Sequence, residues 1–319
     1  MGSSVLKIDH HQLIWSKRTY LMGTINMTPD SFSGDGLYKA FLGVADINAP
    51  GKEKAQELVL SVALEQAHRF ISTGVDILDI GGESTRPGSK PIDAKEEIRR
   101  VIPVIKALAS GFDVLISIDT YKAQVARAAL EAGAHIVNDV WALRADPDLP
   151  RVVASFGAPI ILMHNRSSWM HAEVKDRLGG RYVGVEYQNL IEDVKRELLE
   201  SVTIAKSEGI PDNHIILDPG IGFGKTVEQN LELLDKLEQI RAIGYPVLIG
   251  PSRKSFIGYT LDLPPEQRLE GTAAAVAIGI ARGADIVRVH DVEYMVRVAR
   301  MSDAIVRGRY TTKVGETKE

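Results

Sequence analysis

The 319-residue chain contains no cysteine. Disulfides, thiolate zinc sites, iron–sulfur clusters and a cysteine nucleophile are therefore excluded. No apolar run approaches the roughly 18–20 residues that a membrane span requires. The opening MGSSVLKIDHH has neither the apolar core of a signal peptide nor an Arg-rich transit pattern. Neither sign of charge dominates: 38 Lys and Arg against 42 Asp and Glu give a net charge of −4 and a pI near 6.1. Without a basic field, nucleic acid and anionic membranes are not expected partners, and a globular, cytoplasmic protein is expected. No G-x-S-x-G elbow is present, so serine hydrolysis has no support. GIGFGKT (220–226) looks like a phosphate-binding loop, but the first glycine that loop needs would fall on Pro219.

What is present is a regular alternation. Short runs rich in Ile and Val fall at 20–26, 75–81, 114–119, 135–140, 159–164, 214–219, 246–252 and 285–291, as buried parallel strands do. Between them lie helical spacings, such as Val59, Ala63, Ala67 and Phe70 on one face and Leu233, Leu237 and Ile240 on another. Each of the seven helix-to-strand junctions carries a glycine (Gly74, Gly111, Gly133, Gly157, Gly209, Gly244 and Gly283), where a left-handed helix end is expected. A last helix is expected near 292–306. Strand and helix repeated eight times predict an α/β fold, a single (β/α)8 barrel. An open doubly wound sheet would show a Gly-rich fingerprint after its first strand, and MTPDSF stands there instead. Residues 1–18 read as an N-terminal hairpin capping the barrel floor, 19–309 as the barrel and 310–319 as a frayed, disordered tail. The long strand-to-helix connections at 27–52, 82–93 and 165–185 would lie at the C-terminal face, where barrel active sites sit.

Polar residues cluster where the strands end. They are Asn26; Glu83 to Arg86; Asp119; Asn138 and Asp139; His164 and Asn165; Asp218; Ser252, Arg253 and Lys254; and Arg288, His290 and Asp291. Asn138 and Arg288 interrupt apolar strands, where a polar group without a partner costs about 1–3 kcal/mol. Asp119, Asp218, Asn138 and Lys254 offer acceptors and a donor suited to a flat hydrogen-bonding heterocycle. Arg86, Arg253, Arg288 and His290 form a cationic rim that an anion such as phosphate would match. Phe32, Pro87, Met163 and Phe223 are placed to supply apolar walls. The paired histidines of metal-dependent amidohydrolase barrels are missing after strand one, and His164 and His171 are too isolated to make a zinc site. His10, His11 and His68 read as surface or packing residues.

Taken in order, INMTPDSFS, DIGGESTRPG, SIDTYK, NDV, LMHN, LDPGIGFGK, GPSRKSFIG and RVHDV closely resemble the dihydropteroate synthases, over about residues 17–307. That family condenses 6-hydroxymethyl-7,8-dihydropterin pyrophosphate with p-aminobenzoate, giving 7,8-dihydropteroate and pyrophosphate in folate biosynthesis. The resemblance implies that Asn26 ligates a Mg2+ shared with pyrophosphate, and that Arg288 and His290 bind pyrophosphate with Thr85 nearby. It implies that Asp119, Asn138, Asp218 and Lys254 hold the pterin edge, while Gly222, Phe223 and Met163 shape its pocket. Phe32, Pro87, Ser252 and Arg253 would serve the p-aminobenzoate side. Asp119, Lys254, Arg288 and His290 are the residues it implies for catalysis, by pyrophosphate departure before arylamine attack. The first loop departs from the family, reading Ser33-Gly34-Asp35-Gly36 where TPDSFSDGG is typical, and it continues longer than in most members. The stretch TAAAVAIGIA (272–281) is apolar on all sides and predicts a covered helix, consistent with a homodimer through C-terminal helices. Two other readings stay open: a pterin-binding methyltransferase-like protein and a non-catalytic pterin-binding paralogue.

Overall fold

Runs of β-branched residues of strand length, separated by amphipathic stretches, form parallel strands wrapped by helices in the computed structural model. It describes residues 5–28, 52–85, 89, 91–175, 177–308, 310–313 and 316–318. A hairpin of β1 (Val5–Ile8) and β2 (His11–Ile14) comes first. The barrel strands β3 (Tyr20–Asn26), β4 (Ile77–Gly81), β5 (Leu115–Asp119), β6 (Ile136–Asp139) and β7 (Ile160–Met163) follow in chain order. A small hairpin, β8 (Ala172–Lys175) with β9 (Gly179–Tyr182), lies in the next connection. The barrel resumes with β10 (Ile215–Asp218), β11 (Leu248–Ile249) and β12 (Ile286–Val289). Neighbouring barrel strands are parallel throughout, and a parallel bridge from Leu217 to Val247 joins β10 to the chain entering β11. Each strand lies within the run expected for it.

Side chains alternate between two cores, as the two-residue period of a strand requires. Leu21, Ile25, Leu78, Ile80, Ile116, Ile118, Leu162, Leu217, Val287 and Val289 point outward and are buried beneath the helices. Met22, Ile77, Leu115, Ile136, Ile161, Ile216, Leu248 and Ile286 point inward and fill the barrel floor. Leu6, Leu13 and Trp15 of the hairpin complete that second core, so the hairpin packs against the floor. Continuing the inward parity up each strand leads to Asn26, Asp79, Asp119, Asn138, Met163, Asp218 and Arg288. The alternation therefore carries polar residues upward into the barrel mouth.

The enclosing helices are α1 (Lys52–Thr73), α2 (Ala94–Gly111), α3 (Ala123–Glu131), α4 (Leu149–Phe156), α5 (Leu190–Ser207), α6 (Val227–Asp235), α7 (Leu237–Arg241), α8 (Ser255–Leu261), α9 (Leu269–Ala281) and α10 (Val292–Arg307). Asp93, Asn189 and Thr226 cap α2, α5 and α6, each accepting a backbone N–H three residues on. Six of the seven junction glycines have positive φ. Gly111 is the exception: it remains inside the last turn of α2, and Phe112 in an extended conformation ends the helix. Beyond α10, the described segments β13 (Tyr310–Lys313) and β14 (Glu316–Lys318) pair antiparallel. The apolar α9 is covered on one side only. Thr272, Ala275, Val276, Gly279 and Ile280 are buried while Ile278 is 50% exposed. Among the described residues, no helix is long and apolar enough to cross a membrane.

Candidate active site

The polar strand ends meet in one cleft at the C-terminal mouth. Thr85, Asp119, Asn138, Met163, Asp218, Phe223, Lys254 and Arg288 line it together, with Val140, Ile221 and Gly250. Ten of these eleven come from the strand ends or the loops just beyond them; Lys254 caps α8. Phe32, Pro87, Arg86 and the unusual residues 33–36 lie outside the described residues.

Arg288 organises the floor. Its Nε donates to Asp79 Oδ2 at 2.5 Å and its Nη2 to Asp119 Oδ2 at 2.7 Å. Burial pulls this guanidinium down, but Asp79 and Asp119 outweigh it and hold it above its ordinary value. Two of the four residues of the cationic rim expected from sequence are thus matched internally: Arg288 by two carboxylates, and Arg253 by Asp291 at 2.5 and 2.8 Å. Asp79 was not picked out from the sequence. It is fully buried and also accepts Asn138 Nδ2 at 3.2 Å. That bond turns the amide nitrogen of Asn138 to Asp79 and leaves Oδ1 as its free acceptor. Beside it, Thr24 Oγ1, Asp79 Oδ1 and Ser117 Oγ are buried without a hydrogen-bond partner on three register-matched strands.

The carboxylates of the mouth are not ordinary surface acids. Burial pushes the Asp119 carboxyl up to about 7, with Arg288 opposing and Asp79 reinforcing. Burial likewise pushes Asp218 up to about 6, against the backbone N–H of Gly220, which its Oδ1 accepts at 2.7 Å. Asp139, outside the barrel, instead ties the β6–α4 turn by accepting the N–H groups of Trp141 and Leu143. Lys254 Nζ sits 3.9 Å over the Phe223 ring, which favours a cation through the ring's negative face. Ser252 Oγ lies 3.1 Å from His290 Nδ1 and accepts the His290 backbone N–H, joining those two rim residues.

The loop that resembles a phosphate-binding sequence is instead a wall held from behind. Lys225 is buried, and its ammonium donates to Gly220 O, Phe223 O and His164 Nδ1 at 2.9–3.0 Å. A donor at Nδ1 leaves the imidazole proton on Nε2, which donates to Glu197 Oε2 at 3.0 Å. Arg166 forks onto the same Glu197. Burial, then the Lys225 charge, push the His164 imidazole down to about 3, and burial pulls Lys225 down to about 7. Burial alone would raise Glu197, but hydrogen bonds from His164 and Arg166 hold it well below the carboxylate range. Two glycines let the backbones close in. A Cβ at Gly220 would fall 1.9 Å from His164 O, and one at Gly224 would fall 2.2 Å from the Arg166 carbonyl carbon.

Asn26 and Asp119 face each other across Gly81. A Cβ there would stand 3.5 Å from Asn26 Oδ1 and 3.7 Å from Asp119 Oδ2. These are two hard oxygen donors of the kind Mg2+ takes, and Asp119 Oδ2 is also the acceptor of Arg288 Nη2. His171, the other histidine weighed for zinc, lies in the short turn Trp169–His171, while His164 is spent on Lys225 and Glu197.

A parallel eight-stranded barrel whose mouth joins paired acids, an amide acceptor, a lysine and a guanidinium defines a barrel enzyme for a flat, polar heterocycle. The profile described as pterin binding enzyme matches residues 47–290. The dihydropteroate synthase of Clostridium beijerinckii is 46% identical over 303 residues, covering 95% of this chain and all of that one. A crystal structure of the Clostridium difficile dihydropteroate synthase, in the presence of pteroic acid, superposes with a TM-score of 0.77 at 44% identity, covering 92% of this chain and 98% of that one. The Yersinia pestis enzyme in complex with a sulfonamide drug superposes at 0.80 with 36% identity, covering 95% and 99%. The chain belongs to the pterin-binding enzyme family, among its dihydropteroate synthases, transferases of folate synthesis.

Proposed function

We propose that the mouth cleft carries out the whole reaction of this family, with the residues assigned as follows. Asp119, Asp218 and the Asn138 Oδ1 accept from the donor edge of the dihydropterin, Lys254 donates to it, and Met163, Gly222 and Phe223 wall it. Arg288 and His290, with Thr85, receive the pyrophosphate. Phe32 and Pro87 enclose p-aminobenzoate, with Ser252 and Arg253 toward its carboxylate. The observation that carries this reading is the shared floor: Arg288 touches Asp119 in the same cleft that Asp218, Asn138 and Lys254 line.

The chemistry follows from that placement. The bond between the pterin methylene carbon and the pyrophosphate oxygen breaks first, and the leaving electron pair stays with pyrophosphate, held by Arg288 and His290. The positive charge left on the pterin lies beside Asp119, whose ionised form stabilises it. Charge placed in advance where charge develops is usually the largest catalytic contribution. The neutral arylamine nitrogen then forms the new carbon–nitrogen bond and releases a proton to solvent, so no general base is assigned. Asn26 would hold Mg2+, and the oxygen donors around Gly81 fit that ion. When bound, it would add positive charge against the pyrophosphate. A homodimer is also proposed, supported by the exposed apolar residues Ile278 of α9 and Tyr294, Met301 and Ile305 of α10.

The test is pyrophosphate release from dihydropterin pyrophosphate with Mg2+, with and without p-aminobenzoate. Release that requires p-aminobenzoate and yields dihydropteroate supports the assignment. Pterin binding with no product overturns it in favour of a binding protein.

A further inference from the structure

At the opposite end of the barrel, where the plugging hairpin meets the turn before β5, three side chains of metal-ligating type converge. Asp113, in the turn before β5, lies with Oδ1 2.7 Å from His10 Nε2 and 3.1 Å from His11 Nε2. The three ligand atoms all lie within 4.8 Å of one another, and the two imidazole rings lie with centroids 4.1 Å apart, tilted by 35°. Asp9, in the hairpin turn with φ 51°, and His135 stand alongside. His135 Nε2 is 3.7 Å from the Asp9 carboxylate, and its ring is 6.5 Å from that of His11.

We propose that His10, His11 and Asp113 form a divalent transition-metal site of the Zn2+ type, which clamps the hairpin plug to the barrel floor. An exposed ion pair stabilises little, a weak reason for two imidazoles to share one carboxylate oxygen. Zinc bonds of about 2.0–2.2 Å place neighbouring ligands of a tetrahedron about 3.3 Å apart. The observed 2.7 and 3.1 Å edges lie close to that spacing. Asp113 and His10 are largely exposed and His11 about one-quarter exposed, so the groups can splay around an ion and leave a position for water. Two imidazoles and one carboxylate suit zinc, nickel or copper and do not suit Mg2+. Because His10 and His11 belong to the hairpin and Asp113 to the barrel, an ion here would cross-link the plug to the strand it covers. The site lies far from the mouth and needs no residue of it.

The experiment is calorimetric titration of the metal-free full-length protein with zinc chloride and, separately, with magnesium chloride. It is repeated on His11→Ala and on Asp113→Asn, both changes at the hairpin end of the barrel that leave the mouth intact. One zinc ion per chain is expected in the wild type, with affinity lowered at least about tenfold in either variant. Zinc should also raise the melting temperature of the wild type and not of the variants, and synthase turnover without zinc should be unchanged in all three. Absence of zinc binding by the wild type overturns the proposal. So does equal zinc affinity in wild type and both variants, which would place the ion elsewhere.

Discussion

Arg288 and Asp79 stand 209 residues apart in the chain and form a 2.5 Å ion pair at the centre of the barrel mouth. The same carboxylate oxygen holds Asn138, so one acid aims both a cation and an amide at the cleft. Asp79 thereby positions two of the groups to which substrate contacts are assigned in the proposed function.

Asp79→Asn removes the charge that Arg288 is built against. Breaking a buried pair by removing one partner costs roughly 3–5 kcal/mol, and the partial exposure of Arg288 puts this one toward the lower end. A structural role alone would lower stability and leave kinetics of the folded fraction intact. A positioning role predicts in addition at least a tenfold loss of kcat/KM in the folded protein, read beside a urea unfolding curve.

The pH profile should report Asp119. With its carboxyl pushed up to about 7 in the free enzyme, the ionised form fades as pH falls through neutrality. Activity measured as kcat/KM should therefore fall on the acid side with an apparent pKa near 7. Asp119→Asn should lower turnover strongly and flatten that acid limb. An unchanged limb in the variant would assign it to another group.

Much of this was legible in the sequence, and the reasons are physical. Buried parallel strands read as short Ile and Val runs because both of their faces are covered, so all eight barrel strands fall where those runs do. The period-two alternation places Asn26, Asp119, Asn138, Asp218 and Arg288 inside the barrel. The same parity marks Asp79, two residues before Gly81, yet an acid in mid-strand reads as an anomaly until Arg288 is seen beside it. The Lys225, His164 and Glu197 chain was not legible. Its members lie on three distant segments, and no local pattern announces a buried lysine with three acceptors. The meeting of His10 and His11 with Asp113 is hidden for the same reason.

Lys225→Met keeps the volume of the side chain and removes the donor. Gly220 O, Phe223 O and His164 Nδ1 lose their partner, and unmet buried acceptors cost about 1–3 kcal/mol each before relaxation. The Phe223 wall should loosen, raising KM for the pterin pyrophosphate more than it lowers kcat. His164 adds a pH effect: its imidazole is held down at about 3 against an unfolded value of 6.5. Between those values the unfolded chain binds the extra proton, so this contribution to stability is complete above pH 6.5 and is lost as pH falls toward 3. Denaturant unfolding of the wild type across that window should show the decline.

Gly224 and Gly157 have nearly the same left-handed φ, 59° and 61°, in different surroundings. A Cβ at Gly157 meets nothing within 4 Å, while at Gly224 it runs into the Arg166 backbone. Gly157→Ala should cost only the left-handed conformation, about 1–2 kcal/mol. Gly224→Ala should cost clearly more and weaken pterin binding, because it pushes the wall off Arg166. Equal melting temperatures for the two variants would refute the close approach as the reason for glycine at 224.

Tyr294, Met301 and Ile305 recur on one side of α10, at 50%, 62% and 70% exposure, with Ile278 of the adjoining α9 at 50%. Residues seven and eleven positions apart share a helical face, so the three form a stripe rather than scattered surface hydrophobes. The stripe lies on the outer helices, away from the mouth, so covering it would not obstruct substrate. Met301→Asp combined with Ile305→Asp places two charges on that face without touching the barrel core. Light scattering after size exclusion should show a dimer for the wild type and a monomer for the double variant. The monomer should keep a melting transition, because both side chains project away from the buried face of α10. A wild-type monomer at micromolar concentration would remove the dimer and leave the stripe as plain surface.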